Sequence, residues 1–290
     1  MLYFLLVIST LTATGKAVIF KKIGVDSKCL RQFLRLNAIS FFIATIVALL
    51  VSGFNLKSMI YLSPYSAMTA VLLTLSVIVT YLSQIKALSL GNASSTMLIY
   101  SCGFLIPVVF GAFAYNETIT ALDIFAVVLL VISLFLIITP EKSSKISLKW
   151  LLFSIISMTG SGCTAILQKI HQHSQFACEF MELSILEFIV ATVVLSVLML
   201  TAPKTSQYQG LSKKEASVGV LNGIFLGLLN LLNLSLAGKL PAIILFPVYN
   251  IGSIILTGIL CTIIYKEKNT KKEIIGFVIG LTAIMIIGVF

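Results

Sequence analysis

The sequence predicts an all-α polytopic membrane protein, with ten transmembrane helices arranged as two inverted five-helix repeats. Of its 290 residues, 59% are hydrophobic and only 10% are charged, and the mean hydropathy is +1.10. Soluble proteins carry about 25% charged residues. Long apolar segments recur along the whole chain, with the basic residues between them. This composition excludes an ordinary soluble enzyme, a disordered chain and a small disulfide-stabilised scaffold.

Ten apolar segments are separated by polar or turn-forming residues. A transmembrane helix needs about 20 apolar residues. We therefore predict helices at residues 2–20, 32–53, 66–86, 93–114, 120–139, 149–170, 181–201, 216–237, 242–264 and 273–290, each boundary being good to about 2–4 residues. The first segment starts at Leu2 with no basic region before it. It is therefore predicted to be a retained helix and not a signal peptide.

The basic residues are distributed unevenly between alternate loops. If successive helices cross in opposite directions, 16 of the 20 lysines and arginines lie on one face of the membrane. Lys57, Lys169 and Lys239 lie on the other face, and Lys16 lies within a helix. Basic residues in short loops stay cytoplasmic, so the chain is expected in the cytoplasmic membrane with both termini outside. The net charge of +10 thus reflects membrane orientation, and no nucleic-acid partner is expected.

The two halves of the sequence are similar at an offset of about 147–150 residues. TATG at residues 12–15 aligns with TGSG at residues 159–162, within a single membrane domain of residues 1–290. Repeat one covers residues 1–140 and repeat two covers residues 148–290. Because each repeat has five helices, the second must enter the membrane from the opposite side. Inverted repeats are typical of secondary transporters, and duplication without transport is the alternative.

Sequence motifs recur in the fourth, fifth, ninth and tenth segments. They are IPVVFG at residues 106–111, NETIT at 116–120, FPVYNIG at 246–252, and Tyr265-Lys266-Glu267. This pattern resembles the EamA-type transporters of the drug/metabolite transporter superfamily. The resemblance implies a ten-helix fold with a central cavity, and export or uptake of small metabolites, often coupled to protons. Asn116 and Lys266 depart from it, because the family usually has glycine before the glutamate.

Glu187 is an acidic residue inside the seventh segment. It lies eight residues beyond Glu179, which corresponds to ~12 Å of helix rise, and its counterpart in the first repeat is Phe41. An ionisable group inside a bilayer costs several kcal/mol and commonly has a functional role. We therefore interpret Glu187 as the candidate proton-coupling residue. The alternative is an interfacial glutamate that reaches the end of its helix or pairs with a neighbour.

Other polar residues within the segments are candidate substrate contacts. Lys16 either binds an anionic substrate group or extends its amine to the membrane interface. Asn222, Asn230 and Asn233 fall within ~80° of each other on a helical wheel. These three amides either line a wet cavity or form interhelical hydrogen bonds.

Two further candidates occupy corresponding positions in the two repeats. Asn250 follows Pro247 by three residues, and it either contacts substrate or caps carbonyl groups freed by the proline. Tyr100 either faces the cavity or packs. The pairs Gly223/Gly227 and Gly276/Gly280 predict close helix approach; the second pair serves either packing within one chain or a homodimer.

The sequence carries no signature of catalysis or cofactor binding. It has no Cys-x-x-Cys pair, no phosphate-binding glycine loop and no Ser/His/Asp arrangement, and His171 and His173 match no metal-ligand motif. We expect no cofactor, metal or enzyme activity, and an ATP-driven pump is disfavoured. The sequence predicts a secondary-active transporter of small polar metabolites, either amino-acid-like or drug-like solutes, that works by alternating access with proton coupling. The alternatives are a lipid-linked sugar flippase, a membrane-embedded enzyme and a non-transporting membrane scaffold.

Overall fold

The described residues of the computed structural model form α-helices joined by short connections. The structure describes residues 1–23, 30–54, 59–91, 93–138, 147–203, 212–265 and 270–289. The predicted loop residues Lys57, Lys266 and Glu267 lie outside these ranges. The helices are α1 (Leu2–Ile23), α2 (Leu30–Val51), α3 (Pro64–Leu90), α4 (Ala93–Ser101), α5 (Leu105–Ala114), α6 (Ala121–Ile137), α7 (Leu148–Gln172), α8 (Phe180–Thr201), α9 (Lys213–Ala237), α10 (Ala242–Tyr265) and α11 (Lys271–Val289). Short 3₁₀ turns at Cys102–Phe104 and Ala177–Glu179 precede α5 and α8.

Seven helices in the described part of the chain are long and apolar enough to cross a membrane. They are Leu30–Val51, Pro64–Leu90, Ser95–Ala114, Leu148–Gln172, Ala177–Thr201, Glu215–Ala237 and Ala242–Ile263. Leu2–Val18 and Ala121–Ile137 form shorter apolar helices. Large apolar side chains are exposed along α6, among them Phe125, Val128 and Phe135. An exposed apolar face of this extent requires lipid rather than water around it, as in a multi-pass helical membrane protein.

Polar side chains fix where α6 and α9 begin. The Thr120 hydroxyl accepts a hydrogen bond from the Asp123 backbone N–H, and the Asp123 carboxylate accepts one from the Thr120 N–H. Ser212 and Glu215 form the same reciprocal arrangement at the start of α9. These capping boxes satisfy N–H groups that have no partner within the helix. They explain why α6 starts one residue later than predicted and why α9 starts three residues earlier than predicted.

The chain divides into two compact units. Unit 1 comprises Met1–Thr14, Val79–Ile166 and Lys239–Phe290, and unit 2 comprises Gly15–Ile78 and Leu167–Gly238. Each unit therefore contains helices from both halves of the sequence. Three helices, α1, α3 and α7, contribute residues to both units.

In unit 1, small residues let α11 approach α6 closely. A Cβ atom at Gly276 would lie 2.8 Å from Cγ1 of Ile137, and one at Gly280 would lie 2.5 Å from Oγ of Ser133. The Ser133 hydroxyl donates to the carbonyl oxygen of Gly276 at 2.7 Å. The Gly276/Gly280 pair thus packs against a helix of the same chain.

Glu117 caps the N-terminus of α10 in unit 1. Its Oε2 accepts a hydrogen bond from the backbone N–H of Ala242 at 2.7 Å. A Cβ atom at Gly111 would lie 2.5 Å from this oxygen, so glycine is required there for the carboxylate to reach α10. An acidic group at a helix N-terminus satisfies a free N–H and interacts favourably with the helix dipole.

Replacing Glu117 by alanine is expected to lower the stability of the protein without changing its fold. Loss of a cap costs about 0.5–2 kcal/mol, which corresponds to a decrease of a few degrees in the melting temperature in detergent. Lys239→Ala, at an exposed position just before the same helix, is the matched control. Equal melting temperatures for the two variants would contradict the capping role.

In unit 2, a glycine stripe on α9 packs against α2. A Cβ atom at Gly223 would lie 2.5 Å from the backbone oxygen of Ser40, and one at Gly227 would lie 3.1 Å from Cβ of Val47. Gly219 belongs to the same stripe, with Ile39 beside it. The predicted close approach at Gly223 and Gly227 is therefore made to α2.

Candidate functional site

A buried carboxyl group lies at the centre of the candidate site, in unit 2. Glu187 is on α8 and is only 1% exposed. Its Oε2 accepts a hydrogen bond from Nδ2 of Asn230 on α9 at 3.1 Å. Asn230 Oδ1 in turn accepts one from Nε2 of Gln168 on α7 at 3.2 Å. Three helices thus supply a chain of two amides that ends on one carboxyl group.

The third helix of the first half also reaches Glu187. The Thr74 hydroxyl of α3 lies 3.1 Å from the backbone oxygen of Glu187, and it also donates to Ala70 of its own helix. We name Thr74, Gln168, Glu187 and Asn230 the central network. In the described residues no lysine or arginine is paired with the Glu187 carboxyl group, which is held by a neutral amide. A change in its protonation therefore changes the net charge of the site.

A second polar group of residues lies where α3 and α8 begin and α7 ends. Nε2 of His171 lies 2.9 Å from Oγ of Ser66, and Ser66 Oγ lies 3.1 Å from Oγ of Ser63. Glu179 Oε2 accepts two hydrogen bonds from Ser63, one from the hydroxyl at 2.6 Å and one from the backbone N–H at 3.2 Å. We name Ser63, Ser66, His171 and Glu179 the terminal network. His171 is fully buried, and the Tyr65 ring stacks on its imidazole.

Apolar side chains separate the two networks along α3 and α8. Ala70 and Leu73 follow Ser66 on α3, and Leu183 lies between Glu179 and Glu187. All three are fully buried and belong to one packed cluster with Leu234 of α9. Leu167, Phe180 and Leu186 pack against this cluster. We name these seven residues the apolar layer.

Two of the three asparagines predicted on one face of α9, Asn222 and Asn230, bond to different helices. Asn222 Nδ2 donates to Oγ of Ser40 on α2 at 2.8 Å, whereas Asn230 donates to Glu187 on α8. Oδ1 of Asn222 is buried and makes no hydrogen bond with the described residues. Asn233 is buried. Asn230 is therefore hydrogen-bonded to Glu187 whereas Asn222 bonds to α2, because one face of a long helix contacts different neighbours along its length.

The remaining predicted site residues do not join the central network. Lys16 is half-buried in the part of α1 that belongs to unit 2, next to Gly15, which packs against Phe225 of α9. Tyr100 belongs to unit 1 and hydrogen-bonds Ser161 of α7. Asn250, also in unit 1, is half-buried on α10, and its backbone oxygen accepts a hydrogen bond from Ser253.

Gln168 and Lys169 were not identified from the sequence. Lys169 was predicted inside the helix at residues 149–170 and counted only among the basic residues of the outer face; it lies in the last turn of α7, which continues to Gln172. The side chain is fully buried, and its Nζ donates to the carbonyl oxygen of Ala237 at the end of α9. A cation at a helix C-terminus is stabilised by the helix dipole. A run of polar residues at an apolar helix end is the signal that could have identified both residues.

The histidines near the end of α7 are hydrogen-bonded within the protein. In the ranges that the structure describes, no three His, Cys, Asp or Glu side chains are grouped to hold a metal ion. His171 is bonded to Ser66, and Nδ1 of His173 lies 2.9 Å from the backbone oxygen of Lys169. Both imidazoles therefore have hydrogen-bond partners within the protein.

Comparison with known proteins identifies a relative by sequence and a solved structure with the same fold. No family model matches the chain. An uncharacterized protein of Haemophilus influenzae is 29% identical over 189 residues, which are 62% of this chain. The chain spans 60% of that relative's length. A solved crystal structure matches 98% of this chain and 96% of its own with a TM-score of 0.79 at 14% identity, so the two chains share a fold.

Proposed function

We propose that the chain is a secondary-active transporter of small polar metabolites, either amino-acid-like or drug-like solutes. It moves them across the cytoplasmic membrane by alternating access and couples this movement to protons through Glu187. The observation that carries the proposal is the buried Glu187 carboxyl group on a membrane-length helix, held by Asn230 and Gln168. Ionisable groups at such positions mark ion and substrate pathways in membrane proteins.

The chemistry of the central network fits proton coupling. A carboxyl group with one neutral hydrogen-bond partner can take up a proton and become neutral without leaving a second buried charge behind. The amides of Asn230 and Gln168 have both donors and acceptors, so they can exchange their mutual hydrogen bond for bonds to a polar solute. The same residues can therefore respond to both the proton and the solute.

We propose further that the chain is an EamA-type member of the drug/metabolite transporter superfamily with ten crossings in two inverted repeats. On this view α4, the turn at Cys102–Phe104 and α5 make one crossing, since Ser95–Ala114 has membrane-spanning length and composition. Helix starts at Ala93 and Ala242 are separated by the offset of the repeat, which supports equivalent positions for α4 and α10.

Uptake from a pooled metabolite mixture into proteoliposomes tests the proposed function. The uptake is measured by mass spectrometry with and without an imposed pH gradient. Gradient-dependent enrichment of one compound class is the expected result and also identifies the solute. Enrichment that ignores the gradient would contradict proton coupling. Absence of enrichment with folded protein would contradict transport of small solutes and favour the flippase or the scaffold.

The proposed orientation predicts that the connection between α7 and α8 lies outside the cell. Cys178 is exposed in this connection. In a variant that keeps only this cysteine, a membrane-impermeant maleimide is expected to label intact cells. A cysteine placed at exposed position Ser212, in the same background without Cys178, is expected to react only after permeabilisation. The reverse labelling pattern would contradict both termini being outside.

A further inference from the structure

Three segments of unit 2 each contribute to both the terminal network and the central network. They are α3, α7, and the 3₁₀ turn together with α8, which follows it. Helix α3 supplies Ser66 to the terminal network and Thr74 to the central network. Helix α7 supplies His171 and Gln168 in the same way. Glu179 precedes α8, and Glu187 follows eight residues later, which is ~12 Å of helix rise. Separation of these helix ends would therefore change the hydrogen bonds of both networks.

The apolar layer keeps water away from Glu187 at this end of the helices. Ala70, Leu73 and Leu183 are fully buried and in mutual contact within one cluster. Apolar side chains in close contact exclude water and polar solutes from the space between them. In this conformation the apolar layer lies between the terminal network and the central network along α3 and α8.

The hydrogen bonds of the terminal network depend on protonation. Neutral imidazole has one donor and one acceptor nitrogen, whereas the protonated ring has two donors. Nδ1 of His171 faces Nε2 of Gln172 at 3.4 Å, so a second ring proton would place two donors against each other. A protonated His171 would also bury a positive charge, since the side chain is fully buried. Protonation thus favours an arrangement in which the ring reaches water.

The surrounding titratable groups come from three elements. Tyr65 of α3 stacks on the His171 ring, and Glu179 of the 3₁₀ turn is linked to it through Ser66 and Ser63. On α7 itself, the Lys169 amine is directed to the backbone of Ala237. His173 lies one turn from Lys169 and bonds to its backbone oxygen. Glu179 is thus the acidic member of the network; it is linked to His171 through the two serine hydroxyl groups and also interacts with it electrostatically.

We propose that the terminal network and the apolar layer form a gate in unit 2 that opens when His171 is protonated and gives water access to Glu187. The gate rests on the proposed function only for the role of Glu187 as the coupled carboxyl group. On the proposed orientation it faces the outside. Closed, it keeps the coupling carboxyl group dry; open, it admits the proton and the solute from the more acidic side.

Cysteine accessibility tests the gate without any transported solute. In a chain whose native cysteines are replaced, Ala70→Cys places a small thiol in the apolar layer, and Leu183→Cys provides a second position should the first variant fail to fold. The protein is held in lipid nanodiscs and treated with a charged thiol reagent. Each rate is divided by that at Ser212→Cys, which corrects for the pH dependence of thiol reactivity. The relative rate is expected to rise about tenfold when the pH is lowered from 7.5 to 5.5, because protonation of His171 opens the gate.

Labelling of the His171→Gln variant distinguishes a gate controlled by protonation from ordinary packing of the apolar layer. Glutamine can keep a hydrogen bond to Ser66 but cannot gain a charge, so slow labelling at both pH values is expected. Ser66→Ala removes the hydrogen bond to His171 and is expected to give fast labelling at both pH values. Ala44→Cys, at a fully buried position on α2, should stay unlabelled throughout.

The outcomes distinguish the gate from the proposed function. A pH-independent rate at Ala70→Cys or Leu183→Cys, or a pH response that survives in His171→Gln, would overturn the gate even if pH-driven uptake is found. Conversely, a gate that opens with acid in a protein that accumulates no solute would leave the gate standing and contradict the transporter.

Discussion

Replacing Glu187 by glutamine is expected to reduce pH-gradient-driven accumulation of the solute to the level of liposomes without protein. Glutamine preserves the size of the side chain and an oxygen that accepts the hydrogen bond from Asn230. It cannot bind and release a proton in the working range, so the coupling step is lost while the fold is kept. The measurement is uptake into proteoliposomes under an imposed pH gradient, with melting temperature and gel filtration as checks of folding.

Glu182→Gln is the matched control for this substitution. Glu182 lies on the same helix, half-buried in its first turn, and its replacement is expected to leave accumulation unchanged. Exchange of labelled for unlabelled solute without a gradient should survive in the Glu187 variant, because exchange needs no net proton movement. Normal gradient-driven accumulation by Glu187→Gln would remove this residue from the mechanism.

Replacing Gly223 by valine is expected to separate α9 from α2 and to destabilise the protein strongly. Even a Cβ atom at this position would lie 2.5 Å from the backbone oxygen of Ser40 and 2.6 Å from Cβ of Ile43. Backbone atoms cannot move aside as a flexible side chain can. Overpacking costs about 1–3 kcal/mol or more. We expect a melting temperature in detergent about 5–10 °C lower, with a smaller yield of folded protein.

Ile224→Leu, at the next position of the same helix, is the control. Ile224 is exposed, and its replacement is expected to leave the melting temperature within about 1 °C of the unmodified protein. The melting temperature of Gly227→Ala should lie between those of Gly223→Val and Ile224→Leu, since its Cβ atom would lie 3.1–3.2 Å from its nearest neighbours. Equal stability of Gly223→Val and Ile224→Leu would contradict the close packing of α2 and α9.

The helices could be predicted closely because lipid imposes a simple length and composition on each of them. The seventh segment was predicted at residues 181–201, and α8 spans Phe180–Thr201. Helix α2 spans Leu30–Val51, which is two residues earlier at each end than the predicted range of 32–53. Larger differences occur where side chains extend a helix, as Ser212 does at the start of α9. Such caps depend on local hydrogen bonds that hydropathy does not measure.

The site could be predicted only in part, because a sequence gives the face of a helix but not its neighbour. Glu187 stood out as a charge within an apolar segment, and the structure confirms its burial in a membrane-length helix. Its partner Asn230 was grouped with Asn222, although Asn222 bonds to a different helix. Gln168 was not identified, since nothing in the pattern indicates that the end of α7 meets α9.

The terminal network could not be predicted from the sequence. Ser63, Ser66, His171 and Glu179 come from three separate parts of the chain, and no spacing rule links them. In the sequence, His171 was considered only as a metal ligand, together with His173. The structure joins His171 and Glu179 through two serine hydroxyls, a connection that depends on where α3 begins relative to the end of α7.

Measuring the proton movement that accompanies solute transport is the most direct test of proton coupling through Glu187. Proteoliposomes with a pH-sensitive dye inside are given a solute identified by the pooled uptake experiment, without an imposed pH gradient. We expect a pH change inside the vesicles with the unmodified protein and none with Glu187→Gln. An equal pH change in both proteins, or solute uptake with no pH change in either, would contradict proton coupling through Glu187.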